Sequence, residues 1–201
     1  MNATTDEQTL IRAAQRGGLD AFNELVLLYQ SQVFNLAYRI MGDGDSAADA
    51  TQEAFISAYR SIASYRGGSF RAWLMRIVTN ACYDELRRRK RRPTSSLETL
   101  YVSDAAPGEV LVNGAEEPEP YAQRQELNRA LHAGLQALPE EQRVILVLSD
   151  VQGYDYQEIA AIVGTSLGTV KSRLSRARAK MRDHLLAHGE LLPSLYRLED
   201  E

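Results

Sequence analysis

Residues 156–178 read YQEIAAIVGTSLGTVKSRLSRAR, and the way this string divides sets the fold class. Asp155 and Glu158 stand at N-cap and N3 spacing, opening a short helix that carries Ile159, Ala160 and Val163. Gly164-Thr165 turns the chain, Gly164 tolerating a backbone angle that other residues resist, and Ser166 caps a second, longer helix. Two helices joined by a tight glycine turn, with small Ala160 permitting close approach, form a helix-turn-helix pattern. On the second helix Leu167, Val170, Leu174, Ala177 and Met181 share one stripe. The opposite face is centred on Ser172, Ser175 and Arg176, with Lys171, Arg178 and Arg182 on one flank and Arg173 and Lys180 on the other. That face suits duplex DNA, because central polar groups reach base edges while flanking cations take phosphates. An αα-hairpin with a basic exterior is the plainer reading of the same charges.

Outward from this motif, the rest of the chain is also helical. In residues 20–40, Phe22, Leu25, Val26, Tyr29, Val33, Leu36, Ala37 and Ile40 recur at spacings of three and four, with Asp20 as expected cap. After Gly42-Asp43-Gly44, Asp45 is expected to cap a helix with Ala48, Phe55, Tyr59 and Ile62 inward. A short helix around Leu10, Ile11 and Ala14 precedes both. Beyond the glycine loop at 65–69, Phe70, Trp73, Leu74, Ile77 and Ala81 mark a long helix that runs into 87–92 and stops at Pro93. Residues 93–121 hold four of the six prolines with serine, glycine and acids, as a flexible linker does. Leu127, Leu131, Leu135 and Leu138 then form a stripe, and Pro139 suits a first helical turn before Val144, Ile145, Val147 and Leu148. No strand-like alternation survives. The expected fold is all-α: a domain over 1–92, an acidic linker over 93–121, a helix-turn-helix domain over 122–185, and an unassigned tail over 186–201.

The chain has 201 residues and a net charge of −4, which taken whole argues against nucleic acid. The distribution reverses that. Residues 71–92 set eight Arg/Lys against Asp84 and Glu85, and 165–184 set six against Asp183, whereas 98–126 carry seven acids against Arg124. Local potential governs contact with phosphates, so two basic blocks in an acidic chain count for more than the overall balance. A solvated helix face remains the plain alternative for each block. One cysteine, Cys82, excludes an internal disulfide and suits a reducing compartment. The N-terminus lacks the basic-then-apolar order of a secretory signal and no run is long enough for a membrane span, so the expected location is cytoplasmic, without membrane insertion.

The first basic block has its own logic. Residues 64–80, SYRGGSFRAWLMRIVTN, combine aromatics, a glycine loop and cations, and Arg76, Asn80, Tyr83 and Arg87 line up along the helix at spacings of four, three and four. Aromatic planes beside phosphate-binding cations are what a strand of unpaired bases requires, although Phe70 and Trp73 also fit a hydrophobic core. Asp49 and Glu53, one helical turn apart, form an acidic pair suited to a basic partner helix or simply to solvent.

Four ordered stretches, DATQEAFISAYRSI (49–62), YRGGSFRAWLMRIVTNACYDELRRRKRR (65–92), LPEEQR (138–143) and GYDYQEIAAIVGTSLGTVKSRLSRAR (153–178), resemble bacterial RNA polymerase sigma factors of the extracytoplasmic function type. The resemblance implies that Asp49, Gln52, Glu53 and Phe55 dock on core RNA polymerase. It implies that Tyr65, Arg66, Gly67 and Ser69 belong to the loop that captures a base flipped from the minus-ten element of promoter DNA, with Arg76, Asn80, Tyr83 and Arg87 on the helix that reads it. Lys171, Ser172, Arg173, Ser175, Arg176 and Arg178 correspond to the helix that reads the minus-thirty-five element. An anti-sigma factor is a further implied partner, and the acidic linker would enter the polymerase's RNA path as a nucleic-acid mimic or act as a plain tether. Met75 departs from the family, where many relatives carry an aromatic.

Two other functions compete. A stand-alone helix-turn-helix regulator explains 153–182 but leaves the first basic helix and its glycine loop idle. For an enzyme, the three histidines His132, His184 and His188 form no His-Glu-x-x-His motif, and the glycine loop lacks the lysine of a phosphate-binding loop. No catalytic residues, metal site or cofactor are expected.

Overall fold

The computed structural model describes the backbone of residues 3–91 and 118–187, with side chains over 7–91 and 125–187. Most of the expected linker and nearly all of the expected tail, with Arg92 and Pro93, lie outside the described residues. The helices are α1 (Ala3–Gln15), α2 (Leu19–Met41), α3 (Gly44–Ser61), α4 (Phe70–Arg91), α5 (Pro118–Ala137), α6 (Glu140–Leu146), α7 (Tyr156–Val163) and α8 (Leu167–Ala187). There is no strand among the described residues. The helices sort into two units. One contains α1–α4 with residues 161–164; the other contains α5, α6, residues 156–160 of α7, and α8.

In the first unit α2 packs against α1, α3 and α4, and α3 packs against α4. The core joins Val33, Leu36 and Ile40 of α2 to Leu74, Met75, Val78 and Cys82 of α4, all essentially inaccessible. Each such side chain contributes roughly 1.5–3 kcal/mol of transfer free energy. Met75, the departure from the family, is a core residue. On α3 the buried residues are Ala47, Ala50, Ala54 and Ala58, whereas Ala48 and Tyr59 are exposed and Phe55 is half-buried. The expected apolar face is therefore displaced, because a stripe of small residues lets α2 and α4 approach the α3 backbone. The α4 face is displaced likewise. Trp73, Ile77 and Ala81 are half-buried, and Met75, Val78, Cys82 and Leu86 lie inward instead.

Two caps also differ from expectation. Asp43, not Asp45, accepts the Ser46 backbone N–H at 2.8 Å and starts α3. Gly18 precedes α2 without any side-chain cap, which leaves Asp20 in the first turn, where its charge suits the helix dipole. Burial alone would raise the Asp43 carboxyl; the Ser46 N–H and hydroxyl, with Arg89, outweigh it and hold the group below its ordinary range.

In the second unit α6 and α5 both pack on α8. Helix α5 begins at Pro118, so its first four residues fall in the expected linker, with proline at the first helical position, where its missing N–H costs nothing. Leu135 and Leu138 are buried, as are Val144, Ile145, Val147 and Leu148. After α6 the chain widens into a π-helical turn at Val147–Val151, which no sequence signal announced. On α8 Val170, Leu174 and Ala177 are buried, whereas Leu167 is exposed and Met181 half-buried, so the inward stripe is shorter than periodicity implies.

Candidate nucleic-acid interface

The helix-turn-helix is built by the contacts its sequence encodes. Asp155 Oδ1 accepts the backbone N–H groups of Gln157 and Glu158, each at 2.8 Å, and Glu158 Oε2 accepts the Asp155 N–H at 3.0 Å. This reciprocal pair satisfies the orphan donors at the start of α7. Gly164 makes the turn at φ 67°, and Ser166 Oγ accepts the Thr169 N–H at 3.2 Å to open α8. These caps aim α8 so that Lys171, Ser172, Ser175 and Arg176 are exposed together.

The flanking cations are not equivalent. Lys171, Arg178 and Arg182 line one cleft of about 500 Å³ with Tyr156 and Ser175. On the other flank Arg173 is half-buried and paired with Glu141 at 2.5 Å. Arg178 is held too: its Nε and Nη2 donate to the two carboxylate oxygens of Asp150 at 3.0 and 2.6 Å, and Nη2 reaches Ser149 Oγ at 3.4 Å. The π-helical turn presents Ser149 and Asp150 for this fork. Arg178 and Arg173 thus tie α8 to the preceding segment, a constraint that charge pattern along one helix cannot reveal. Lys171, Ser172, Ser175 and Arg176 are the exposed polar side chains at the middle of the expected face.

The Arg178 hydrogen bonds hold the Asp150 carboxyl below its ordinary range, against the opposing effect of burial, and Asp150 in turn raises the Arg178 guanidinium. A depressed carboxyl contributes stability that is present above the unfolded-state pKa and lost as pH falls through the native one. The pair is half-exposed, at 50% for Arg178 and 36% for Asp150, so its contribution is about 0.2–1 kcal/mol. Asp150→Asn should lower stability by that amount at neutral pH. Its denaturation midpoint should converge on that of the parent protein in acid, which urea titrations at pH 7 and pH 3 will check.

The glycine loop is organised from within. Tyr65 is only 9% exposed; its hydroxyl donates to the Gly68 carbonyl at 2.7 Å, and its ring packs on Phe70 and Trp73 at centroid distances of 5.5 and 5.4 Å. Burial first, and the Glu7 charge second, raise the Tyr65 phenol. Gly67 and Gly68 both take positive φ, 99° and 93°, a pair of left-handed residues that a side chain would strain. Ser69 Oγ accepts the Ala72 N–H at 3.1 Å and so caps α4. Tyr65 and Ser69 therefore shape the loop, and Arg66 and Gly67 form its exposed edge. A cleft of about 500 Å³ opens beside it.

Along α4, Arg76, Asn80 and Arg87 are exposed and Tyr83 is half-buried, so the four form the continuous row their spacing predicts. Farther along, the positive charge is partly answered within the unit. Arg87 pairs with Asp84 at 3.2 Å, Arg88 with Glu85 at 3.0 Å, and Arg89 with Asp43 at 2.9 Å.

On α3, Asp49, Gln52 and Glu53 are exposed and share a face, and Phe55 is half-buried beside it. Ile56, which the sequence reading passed over, falls on that same face with 38% exposure. Its signal was the i, i+3, i+4, i+7 spacing from Asp49, hidden by attention to charge. A surface of two acids, an amide and one aliphatic side chain suits a partner that is basic with an apolar centre.

Cys82 is buried, which pushes its thiol up to about 12 and leaves it a packed, unreactive side chain at neutral pH. Among the described residues no group of three His, Cys, Asp or Glu could hold a metal ion, and no helix is long and apolar enough to cross a membrane.

Comparison with known proteins places this geometry. The Sigma-70 region 2 model matches residues 25–92, and the Sigma-70, region 4 model matches residues 128–181. The chain is 39% identical over 173 residues to the RNA polymerase sigma-H factor of Pseudomonas aeruginosa, covering 86% of this chain and 90% of that one. It is 38% identical over 180 residues to the ECF RNA polymerase sigma-E factor of Escherichia coli, covering 89% and 93%. Against the ECF RNA polymerase sigma factor SigE of Mycolicibacterium smegmatis it is 39% identical, over 87% of this chain but 65% of that one. Among solved structures it is similar to CnrH in complex with the cytosolic domain of CnrY, at TM-score 0.65 and 26% identity over 90% of this chain and 98% of that one. It is also similar to the sigma factor RpoE in complex with the anti-sigma factor NepR from Bartonella quintana, at TM-score 0.64 and 27% identity over 83% and 98%.

Proposed function

Since the chain belongs to the sigma-70 family, as an RNA polymerase sigma factor of the ECF type and not an enzyme, we propose that its two helical units grip one promoter at two places. Residues 1–92 carry core docking and the minus-ten element, and residues 122–185 carry the minus-thirty-five element. Helix α8 enters the major groove of duplex DNA with Ser172, Ser175 and Arg176 at base edges and Lys171 on a phosphate. The loop and the Arg76–Asn80–Tyr83–Arg87 row hold the melted strand, stacking and hydrogen bonding offsetting an unstacking cost of a few kcal/mol per flipped base. The acidic α3 face with Ile56 docks on core polymerase, which supplies the bond-forming chemistry.

The observation that carries this reading is the presence, in one chain, of two separate polar rows on long basic helices, each helix capped at its start and buried through its opposite face. A stand-alone regulator needs only one. The similar sigma factor RpoE, solved with the anti-sigma factor NepR, supports an anti-sigma partner here, and CnrH, solved with the cytosolic domain of CnrY, supports a cytoplasmic place of action.

Run-off transcription by core polymerase on a promoter library tests the proposal. Specific transcripts should appear only when the chain is added. Arg176→Ala should relax base preference in the upstream element, each base contact being worth about 1–3 kcal/mol. Transcripts that are identical with and without the chain would end the proposal.

A further inference from the structure

Helix α1 ends before residue 25, where the region 2 match begins, yet it forms one wall of the cleft beside the glycine loop. Glu7, Gln8, Arg12 and Gln15 line that cleft from α1, facing Arg66 and the glycines of the loop. Its inner surface is apolar, formed by Ile11 and by the rings of Tyr65 and Phe70. About 500 Å³ lies within the range of sites that enclose a small ligand.

The wall is anchored, not merely adjacent. Gln15 Nε2 donates to the carbonyls of Tyr65 at 2.9 Å and Ile62 at 3.3 Å, tying α1 to the entry of the loop. The Tyr29 hydroxyl donates to the Glu7 carboxylate, and the Tyr29 ring packs on Phe70 at 5.6 Å, so Glu7 is fixed at the rim. Arg12 is exposed one helical turn beyond Gln8.

A carboxylate fixed in a cation-rimmed cleft repels a phosphate and seeks a donor. In an unpaired base that donor is an exocyclic amine, present on cytosine, adenine and guanine. Thymine offers only one ring N–H, flanked by two carbonyls that a carboxylate repels. We propose that α1 completes the single-strand site. Arg12 takes a backbone phosphate and Glu7 accepts a hydrogen bond from the amine of the captured base, so the cleft favours an amine-bearing base over thymine. This inference rests on the reading that the loop captures an unpaired base.

The test uses the full chain assembled with core polymerase, core alone as the blank, and fluorescein-labelled single-stranded oligonucleotides of dC, dA or dT only. Glu7→Gln keeps an acceptor for Tyr29 but replaces a charged acceptor with a neutral amide. It should reduce the dC-over-dT and dA-over-dT preferences about fivefold each. Arg12→Gln should weaken all three oligonucleotides alike and flatten the salt dependence by roughly 0.7 in log–log slope. Unchanged preferences in Glu7→Gln, or unchanged affinity and slope in Arg12→Gln, overturn the role of α1. Gly68→Ala, which strains the loop backbone, separates the two levels. If it weakens binding while the α1 variants do not, only the α1 inference falls; if it too changes nothing, the loop reading falls with it.

Discussion

Holoenzyme carrying Arg76→Ala and Asn80→Ala together will bind promoter DNA upstream yet fail to hold it open, with open-complex formation reduced about a hundredfold. Both side chains are exposed on α4, one turn apart, and neither belongs to the core formed by Leu74, Met75, Val78 and Cys82. Their removal therefore leaves the unit folded. A charge-assisted hydrogen bond is worth about 1.5–3 kcal/mol and a neutral one about 0.5–1.5 kcal/mol, so losing both contacts reaches the roughly 2.7 kcal/mol that a hundredfold change requires. Permanganate footprinting of unpaired thymines measures opening, and gel retention of the polymerase complex measures binding. Loss of both signals together would place these residues in docking, not in melting; retention of both would remove them from the strand site. A premelted template offers the sharper check. Opening is then supplied in advance, and the deficit should shrink to that part of it which reflects weaker strand capture.

The largest effect on stability should come from Arg143, which no charge pattern distinguishes. Its side chain is 8% exposed, and its guanidinium donates to Gln136 Oε1 at 2.5 Å, to the Gln136 carbonyl at 3.0 Å and to the Leu138 carbonyl at 3.2 Å. Burial lowers the guanidinium from its ordinary value, with the Glu140 charge acting in the opposite direction. The group stays charged at neutral pH because an arginine has several units to spare. Here it caps the carbonyls at the end of α5 and fastens them to α6, a role that serves architecture and not DNA. Arg143→Met preserves the aliphatic bulk but removes the guanidinium from those acceptors, which should cost about 2–4 kcal/mol in the second unit. Differential scanning calorimetry should show a lower transition for that unit and no change in the first. Arg143→Lys will recover only part of the loss, since one ammonium cannot span three acceptors in the fork geometry. A transition temperature indistinguishable from the parent's would show that water replaces the guanidinium freely.

These two cases show where linear reading succeeds. Arg76, Asn80, Tyr83 and Arg87 share an exposed row because helical spacing alone dictates which side chains share a face, whatever packs behind them. The same holds for Asp155 with Glu158, for Ser166, and for the turn at Gly164, where donor, acceptor and backbone angle all lie within four residues. Ile56 belonged to this legible class and was overlooked.

The orientation of side chains toward distant partners obeys other rules. Tyr65, placed by the resemblance in the base-capturing loop, turns inward, because its hydroxyl finds the Gly68 carbonyl and its ring finds Phe70 and Trp73. Arg178 looked like a phosphate ligand and is claimed by Asp150, twenty-eight residues away, through a π-helical turn without a sequence signature. Small alanines on α3 outcompete larger apolar side chains for the interior because two helices approach its backbone at once. Local hydrogen bonds and periodicity thus lay down the helices, their ends and their polar rows. Which cations stay available, and which aromatics meet a ligand, depends on partners brought close in space from far along the chain; that competition is settled by packing and charge pairing across elements, and no window of neighbouring residues contains it.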